Sequence, residues 1–291
     1  MSIGQSEAVV SIVRQLRALG AKFDPEVLAA TRHIYRPLLV LAPAALERHD
    51  VAYGDHPRHK LDVYHPAGDC RAIVVNVHGG GFVAGDKNAD DVFNCNIGRW
   101  LAAHGYAAVL PNYRLAPGHG WPAGAEDVQS VLRWVQSHRA DLAPSPRPIV
   151  LWGQSAGACH VASWLFDPVA ADGRMSDVAA VMLLSGFYSA TSPLASGPRA
   201  YFGDDASRYS QRSPITHVRH VDVPIWLGVA ELDPAPIAEQ TYALAGAMTA
   251  ALARSPDFHF FRGHNHASTV QSLGSPHEDA GSEILRFLGT L

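Results

Sequence analysis

Gly153-Gln154-Ser155-Ala156-Gly157 follows the apolar run Pro148-Ile149-Val150-Leu151-Trp152 and precedes a helix-like stretch ending near Phe166. A short apolar run, a serine between glycines and a helical pattern, in that order, describe a strand, a sharp turn and a helix. The glycines permit a turn too tight for bulkier residues. That turn lifts the Ser155 hydroxyl clear of the backbone, above a helix N-terminus. Ser155 is therefore the first candidate nucleophile. The pattern alone is loose, since glycine-serine turns are common in loops. Its flanks add weight, and a second motif upstream adds more.

His78-Gly79-Gly80-Gly81-Phe82 ends another buried-strand pattern, Ala72-Ile73-Val74-Val75-Asn76-Val77. Three consecutive glycines cost backbone entropy and mark a place where main chain must approach something closely. The N–H groups of Gly80 and Gly81, with that of Ala156 just after the serine, are the candidate donors to a developing oxyanion. Such fixed donors supply about 3–4 kcal/mol each of transition-state stabilisation. A phosphate loop fails on spacing: the glycines are not G-x-G-x-x-G, and Gly85-Asp86-Lys87-Asn88 lacks the G-K-[ST] ending.

At these two motifs the chain resembles the α/β-hydrolase superfamily, in its esterase branch related to hormone-sensitive lipase. The resemblance continues through Asn112-Tyr113-Arg114-Leu115-Ala116-Pro117 and Trp121-Pro122-Ala123-Gly124-Ala125-Glu126-Asp127, and runs from about residue 50 to the C-terminus. Gly118 stands where that branch often has Glu, and Gln154 where it often has Asp. The resemblance implies a mostly parallel sheet of about eight strands flanked by helices, a single domain, and an N-terminal helical cap over residues 1–45.

It also implies a chain order of serine, acid and histidine. Pro224–Ala230 reads as a late strand, followed by Glu231-Leu232-Asp233-Pro234. Asp233 matches the acid position and Glu231 is its runner-up; a plain helix cap is the structural alternative for Asp233. Asp257–Arg262 reads as the last strand, with Gly263-His264-Asn265-His266-Ala267-Ser268 beyond it. His266 fits the spacing of the general base, and His264 is left to support the loop or line the pocket. A histidine base must be neutral, so activity is expected to fall on acidification through roughly pH 6–7.

Apolar periodicity in Val9, Val10, Ile12, Val13, Leu16 and Leu19 predicts an amphipathic helix. Phe23, Tyr35 and Leu38 beyond it are candidates for a pocket roof. A long excursion at 186–222 is a second pocket candidate, because such excursions in a compact domain are usually functional. Phe82, Phe187 and Tyr188 are accordingly candidate substrate contacts, although core packing explains aromatic residues equally well. Strands are expected near 49–53, 61–65, 72–78, 106–111, 148–153, 179–185, 224–230 and 257–262. Helices are expected at about 88–104, 124–140, 155–166, 235–253 and 277–289.

The 291 residues carry a net charge of −4 without a basic stripe, which makes nucleic acid and anionic membranes poor partners. No run approaches the ~18 apolar residues of a membrane span. Cys70, Cys95 and Cys159 are odd in number and widely spaced, which argues for reduced thiols and a cytoplasmic setting. The N-terminus has no charged start or apolar h-region, so export is not expected. No cofactor or metal is expected: H-E-x-x-H is absent, and His217-Val218-Arg219-His220 reads as a solvated loop. An edge strand or the last helix could pair two copies, but no residue pattern requires a homo-oligomer.

These readings converge on hydrolysis of a carboxylic ester, uncharged and of short or medium acyl length. Gly186-Phe187-Tyr188, Tyr201-Phe202-Gly203-Asp204 and Asn265-His266-Ala267-Ser268 also resemble arylformamidases, which use the same residues on N-formyl aryl amides. A small-molecule receptor with a disabled site is the reading outside enzymes.

Overall fold

The computed structural model describes residues 3–39, 41–168, 177–219 and 221–291; His220 of the expected solvated loop lies outside them. Eight strands form one sheet: β1 Leu46–Ala52, β2 Lys60–His65, β3 Ile73–Val77, β4 Ala107–Pro111, β5 Ile149–Gln154, β6 Val178–Leu184, β7 Ile225–Leu232 and β8 Asp257–Asn265. Their order across the sheet is β1-β2-β4-β3-β5-β6-β7-β8. β2 runs antiparallel to both β1 and β4, and every later neighbour is parallel.

Strands buried on both faces read as unbroken apolar runs, and their alternate residues feed two separate cores. Ile73, Val75, Val77, Ile149 and Leu151 join one core. It is closed by α4 (Ala123–Ser137), α6 (Ala156–Phe166) and α9 (Ala235–Leu252), whose Val131, Val161 and Leu244 are buried there. Val74, Val150, Trp152 and Trp226 point the other way, under α3 (Cys95–Ala103) and α11 (Asp279–Leu288) through Trp100, Leu101, Ile284 and Phe287. Short helices α5 (Arg139–Leu142), α8 (Tyr209–Arg212) and α10 (Ser268–Gln271) lie in the connections, and α7 (Ser196–Phe202) lies in the excursion after β6.

The helix expected from residue 88 starts only at Cys95. Asn88 and Asp90 instead bond locally, with the Asp90 carboxylate accepting from the N–H of Phe93 at 3.1 Å and Asn88 Nδ2 donating to Asp91 at 2.9 Å. Asn and Asp side chains offer the backbone this alternative to helix, and here they take it.

The first helices, α1 (Ile3–Leu19) and α2 (Pro25–Tyr35), pack through Ile12, Leu16 and Tyr35 on Phe93. The chain leaves β3 to form β4 on one side, then returns to form β5 on the other. Beyond the carboxyl ends of β3 and β5 the connections diverge and open a crevice, where sheets of this kind hold ligands.

Candidate active site

Ser155 sits in that crevice, between β5 and α6, with φ 55° and ψ −123°. A non-glycine residue at positive φ is uncommon and strained, and it persists only where its surroundings impose it. The flanking glycines show how. A Cβ on Gly153 would lie 2.6 Å from Ala158 Cα, and one on Gly157 would lie 2.1 Å from the Val77 carbonyl oxygen. The turn thus packs without side chains against its own helix on one side and the end of β3 on the other.

His266, just past β8, reaches back to this turn. Its Nε2 lies 2.8 Å from Ser155 Oγ and its Nδ1 lies 2.6 Å from Asp233 Oδ1. All three residues are buried, Ser155 most accessible at 8%. Asp233 follows β7, and its other oxygen, Oδ2, accepts from the N–H of Ala230 at 2.8 Å and from Ser185 Oγ at 2.6 Å. With Oδ2 taking two donors and Oδ1 facing the ring, the carboxylate is held in one orientation. Asp233 does not cap the following helix; Pro234 occupies that position. Gln154 Nε2 donates to the His266 carbonyl at 3.1 Å, which ties the histidine loop to the serine turn. Sequence reasoning missed Ser185, since it appears there only as the end of an apolar run.

Gly80 has φ 148°, and a Cβ there would fall 1.9 Å from the Ala84 carbonyl oxygen, so this position admits only glycine. His78 anchors the loop from beneath, its ring nitrogens 2.6 Å from the Gly79 carbonyl oxygen and 3.0 Å from Asn112 Oδ1. Among the described residues, no protein acceptor takes the N–H of Gly80, Gly81 or Ala156. Ser155 opens into a cleft of about 280 Å³ bordered by Phe23, Leu28, Arg32, Gly80 and Gln271. A wider groove of about 710 Å³ beside Val13, Arg262 and Glu283 carries no comparable array.

The two alternatives from the sequence go elsewhere. Glu231 pairs with Arg17 of α1, at 3.1 and 3.0 Å, and accepts from the N–H of Gly263. His264 turns away from the cleft: Nδ1 meets Ser268 Oγ and Nε2 meets Asp279 Oδ1, both at 3.0 Å. Its ring stacks on His277 at 4.2 Å, and His277 Nε2 lies 3.1 Å from the same Asp279 oxygen. His264, His277 and Asp279 are within reach of a common metal ion. Their mutual bonds are equally those of two neutral imidazoles donating to one carboxylate.

Five of the six expected roof and substrate-contact residues do not line the cleft. Tyr35 is fully buried with its hydroxyl 2.7 Å from His277 Nδ1, because the inner face of α2 packs onto α1 rather than over Ser155. Leu38 packs on the same cluster. Phe82 is buried and stacks on Tyr201 at 4.7 Å, and the half-buried Phe187 packs against it at 5.8 Å. Tyr188 is fully buried in the core, its own N–H donating to Gln240 Oε1 at 2.6 Å. The rings of Phe82, Phe187, Tyr201 and Phe202 pack on one another around α7. Phe23, the third roof candidate, does border the cleft, its ring centroid 4.4 Å from that of His266 with the planes at 62°.

Residues 61–166 match the family described as BD-FAE. Carboxylesterase NlhH of Mycobacterium tuberculosis is 34% identical over 132 residues, covering 44% of this chain and 40% of that protein. The chain thus spans about two fifths of that relative's length. Among solved structures, esterase B from Lactobacillus rhamnosis inhibited by a C4-C4 tributyrin phosphonate superposes with TM-score 0.76 at 21% identity, covering 98% of this chain and 95% of that one. A hyperthermophilic esterase from Pyrobaculum calidifontis superposes with TM-score 0.71 at 24% identity, covering 96% of each.

Proposed function

We propose that this chain, an α/β-hydrolase by its fold, hydrolyses carboxylic esters through an acyl-enzyme. Ser155 is the nucleophile, His266 the general base and Asp233 the group that orients the imidazole. The observation that carries this reading is the unbroken line from Ser155 Oγ through His266 to Asp233, at 2.8 and 2.6 Å. Serine is too weak an acid to attack an ester at neutral pH without a base at hydrogen-bond distance.

In the attack, Oγ adds to the ester carbonyl carbon as its proton passes to Nε2. The carbonyl oxygen becomes an anion and receives the N–H groups of Gly80, Gly81 and Ala156. Collapse breaks the bond to the alcohol oxygen, which leaves with the proton from Nε2. Water then adds its oxygen to the acyl carbon as its proton passes to the same nitrogen, and collapse breaks the bond to Oγ, which takes that proton back as the acid leaves. Asp233 stays ionised and stabilises the imidazolium formed at each step. The positive φ of Ser155 supports this reading, as strain of this kind gathers at functional sites.

A cleft of about 280 Å³ supports a short or medium acyl chain, as it lies at the lower end of ligand-site volumes. Cys70, Cys95 and Cys159 are free and buried, which supports the reduced, cytoplasmic setting. Reaction with a fluorophosphonate followed by peptide mapping tests the proposal, with label expected on Ser155. A small molecule bound without labelling would favour the receptor. A series of p-nitrophenyl acetate, butyrate and octanoate tests chain length, and fastest turnover of octanoate would overturn that part. Turnover of N-formylkynurenine in preference to all three would favour the formamidase.

A further inference from the structure

We propose that Arg32 is an anion-binding residue of the Ser155 cleft, and that the substrate is an ester bearing a free carboxylate. The inference rests on the esterase reading and goes further than the uncharged ester expected from sequence. Leu28 and Arg32, one turn apart on α2, both border the cleft, beside Phe23. Leu28 and Arg32 are the two residues of α2 in this wall, one apolar and one cationic.

Among the described residues, Arg32 has no counterion. Arg32 is half-buried, its Nε is buried without a hydrogen-bond partner, and among the described residues it forms no ion pair. It lies 5.6 Å from the ring of Phe93, with Arg36 at 5.3 Å from the same ring. Arg36, which is exposed and lies outside the cleft, is paired with Asp90. The carboxylate of Asp86, which also borders the cleft, is already engaged. It accepts from Asn112 Nδ2 at 2.8 Å and from the N–H of Asn88 at 3.0 Å, with Arg58 3.9 Å away.

A guanidinium cannot give up its proton in a protein, so a partly desolvated one without a partner stays charged. Its planar fork of donors matches a carboxylate, and such charge-assisted bonds are about twice as strong as neutral ones. With the ester carbonyl at the glycine loop, a substrate carboxylate at Arg32 would satisfy the cleft's uncompensated charge. Two substrate classes share this chemistry. One is the half-ester of a dicarboxylic acid, with the carboxylate on the acyl side. The other is the ester of a hydroxy acid, with the carboxylate on the alcohol side.

Two matched pairs of esters test the proposal, monoethyl succinate against ethyl butyrate and 4-acetoxybenzoate against phenyl acetate, with acid release followed in a pH-stat. The wild-type protein is expected to prefer the anionic member of at least one pair by about tenfold in kcat/KM, equal to about 1.4 kcal/mol. The pair that shows it identifies the side carrying the carboxylate. Arg32→Gln should bring that ratio to about one, Arg32→Lys should retain part of it, and high salt should lower it in the wild type. A wild-type ratio at or below one in both pairs overturns the proposal, as does a preference that survives Arg32→Gln. Should Arg32→Gln fail to fold, the wild-type ratio and its salt dependence still decide. Turnover of neutral esters without charge preference overturns this proposal alone, whereas a protein inert toward all four esters overturns the esterase reading with it.

Discussion

His264, near the end of β8, and His266, just past it, each have a carboxylate on one ring nitrogen and a serine hydroxyl on the other, yet the places those serines occupy differ. The His266 ring has Asp233 on one nitrogen and, on the other, the Oγ of Ser155, a residue that borders the cleft with unclaimed N–H groups nearby. His264 has Asp279 on one nitrogen and Ser268 on the other, and shares its carboxylate with a stacked second imidazole. A histidine next to an acid is thus not a catalytic unit by itself. It becomes one when its second nitrogen meets a nucleophile in a place where a substrate carbonyl and its oxyanion donors fit together.

The comparison breaks most sharply at the serine. Ser155→Ala should lower turnover by about 10⁶, as in other sites of this construction, measured with p-nitrophenyl acetate. Asp233→Asn should lower it by about 10⁴ by stabilising the wrong imidazole tautomer. Near-normal turnover in either variant would refute the assigned roles. Ser185→Ala removes one of two donors that fix Asp233, and turnover should drop about tenfold, the equivalent of one hydrogen bond to a charged group.

A third histidine sharpens the contrast because, among the described residues, it has no carboxylate or other hydrogen-bond partner. His160 is buried among Phe82, Tyr113 and Tyr201, and burial pushes its pKa down to about 3. The unfolded chain, with an ordinary histidine near 6.5, therefore binds more protons than the folded one between these values. Stability should fall as pH drops through that window, by about 1.4 kcal/mol per pH unit for this residue. Thermal melts of the wild type and His160→Leu at several pH values should show a shallower slope in the variant. The smallest change is expected at the other pair. Asp279 is half exposed, so Asp279→Asn should alter turnover about threefold or less, while a loss like that of Asp233→Asn would erase the distinction drawn here.

Much of the fold was legible because two-sided burial leaves an unmistakable apolar signature. The run at 72–78 forms β3 over Ile73–Val77, and 148–153 forms β5 over Ile149–Gln154. Ser155 stands out because its sharp turn is punctuated by glycine, whereas Asp233 and His266, at the ends of late strands, are matched only through the resemblance to the esterase branch. The aromatic contacts failed for the opposite reason. Tyr35, Phe82 and Tyr188 are large apolar residues near the right segments, and composition does not distinguish a pocket wall from a core. Arg32 was invisible for a subtler reason: its significance depends on which carboxylates are already engaged, and that is a property of the assembled side chains. Ser185 shares this dependence, since only the fold brings it to Asp233.

Phe23 against His266, Arg17 on Glu231, and Asn265 Nδ2 donating to Thr31 Oγ1 at 2.8 Å all join the first helices to residues far along the chain. During synthesis the early segment emerges long before its partners exist, and contacts of such high sequence separation form late. A nascent chain on the ribosome would therefore carry Ser155 for some time without a base beside it. Until β8 joins the sheet, the Ser155 hydroxyl has no imidazole at 2.8 Å, so the pairing of these two distant stretches is a late product of folding.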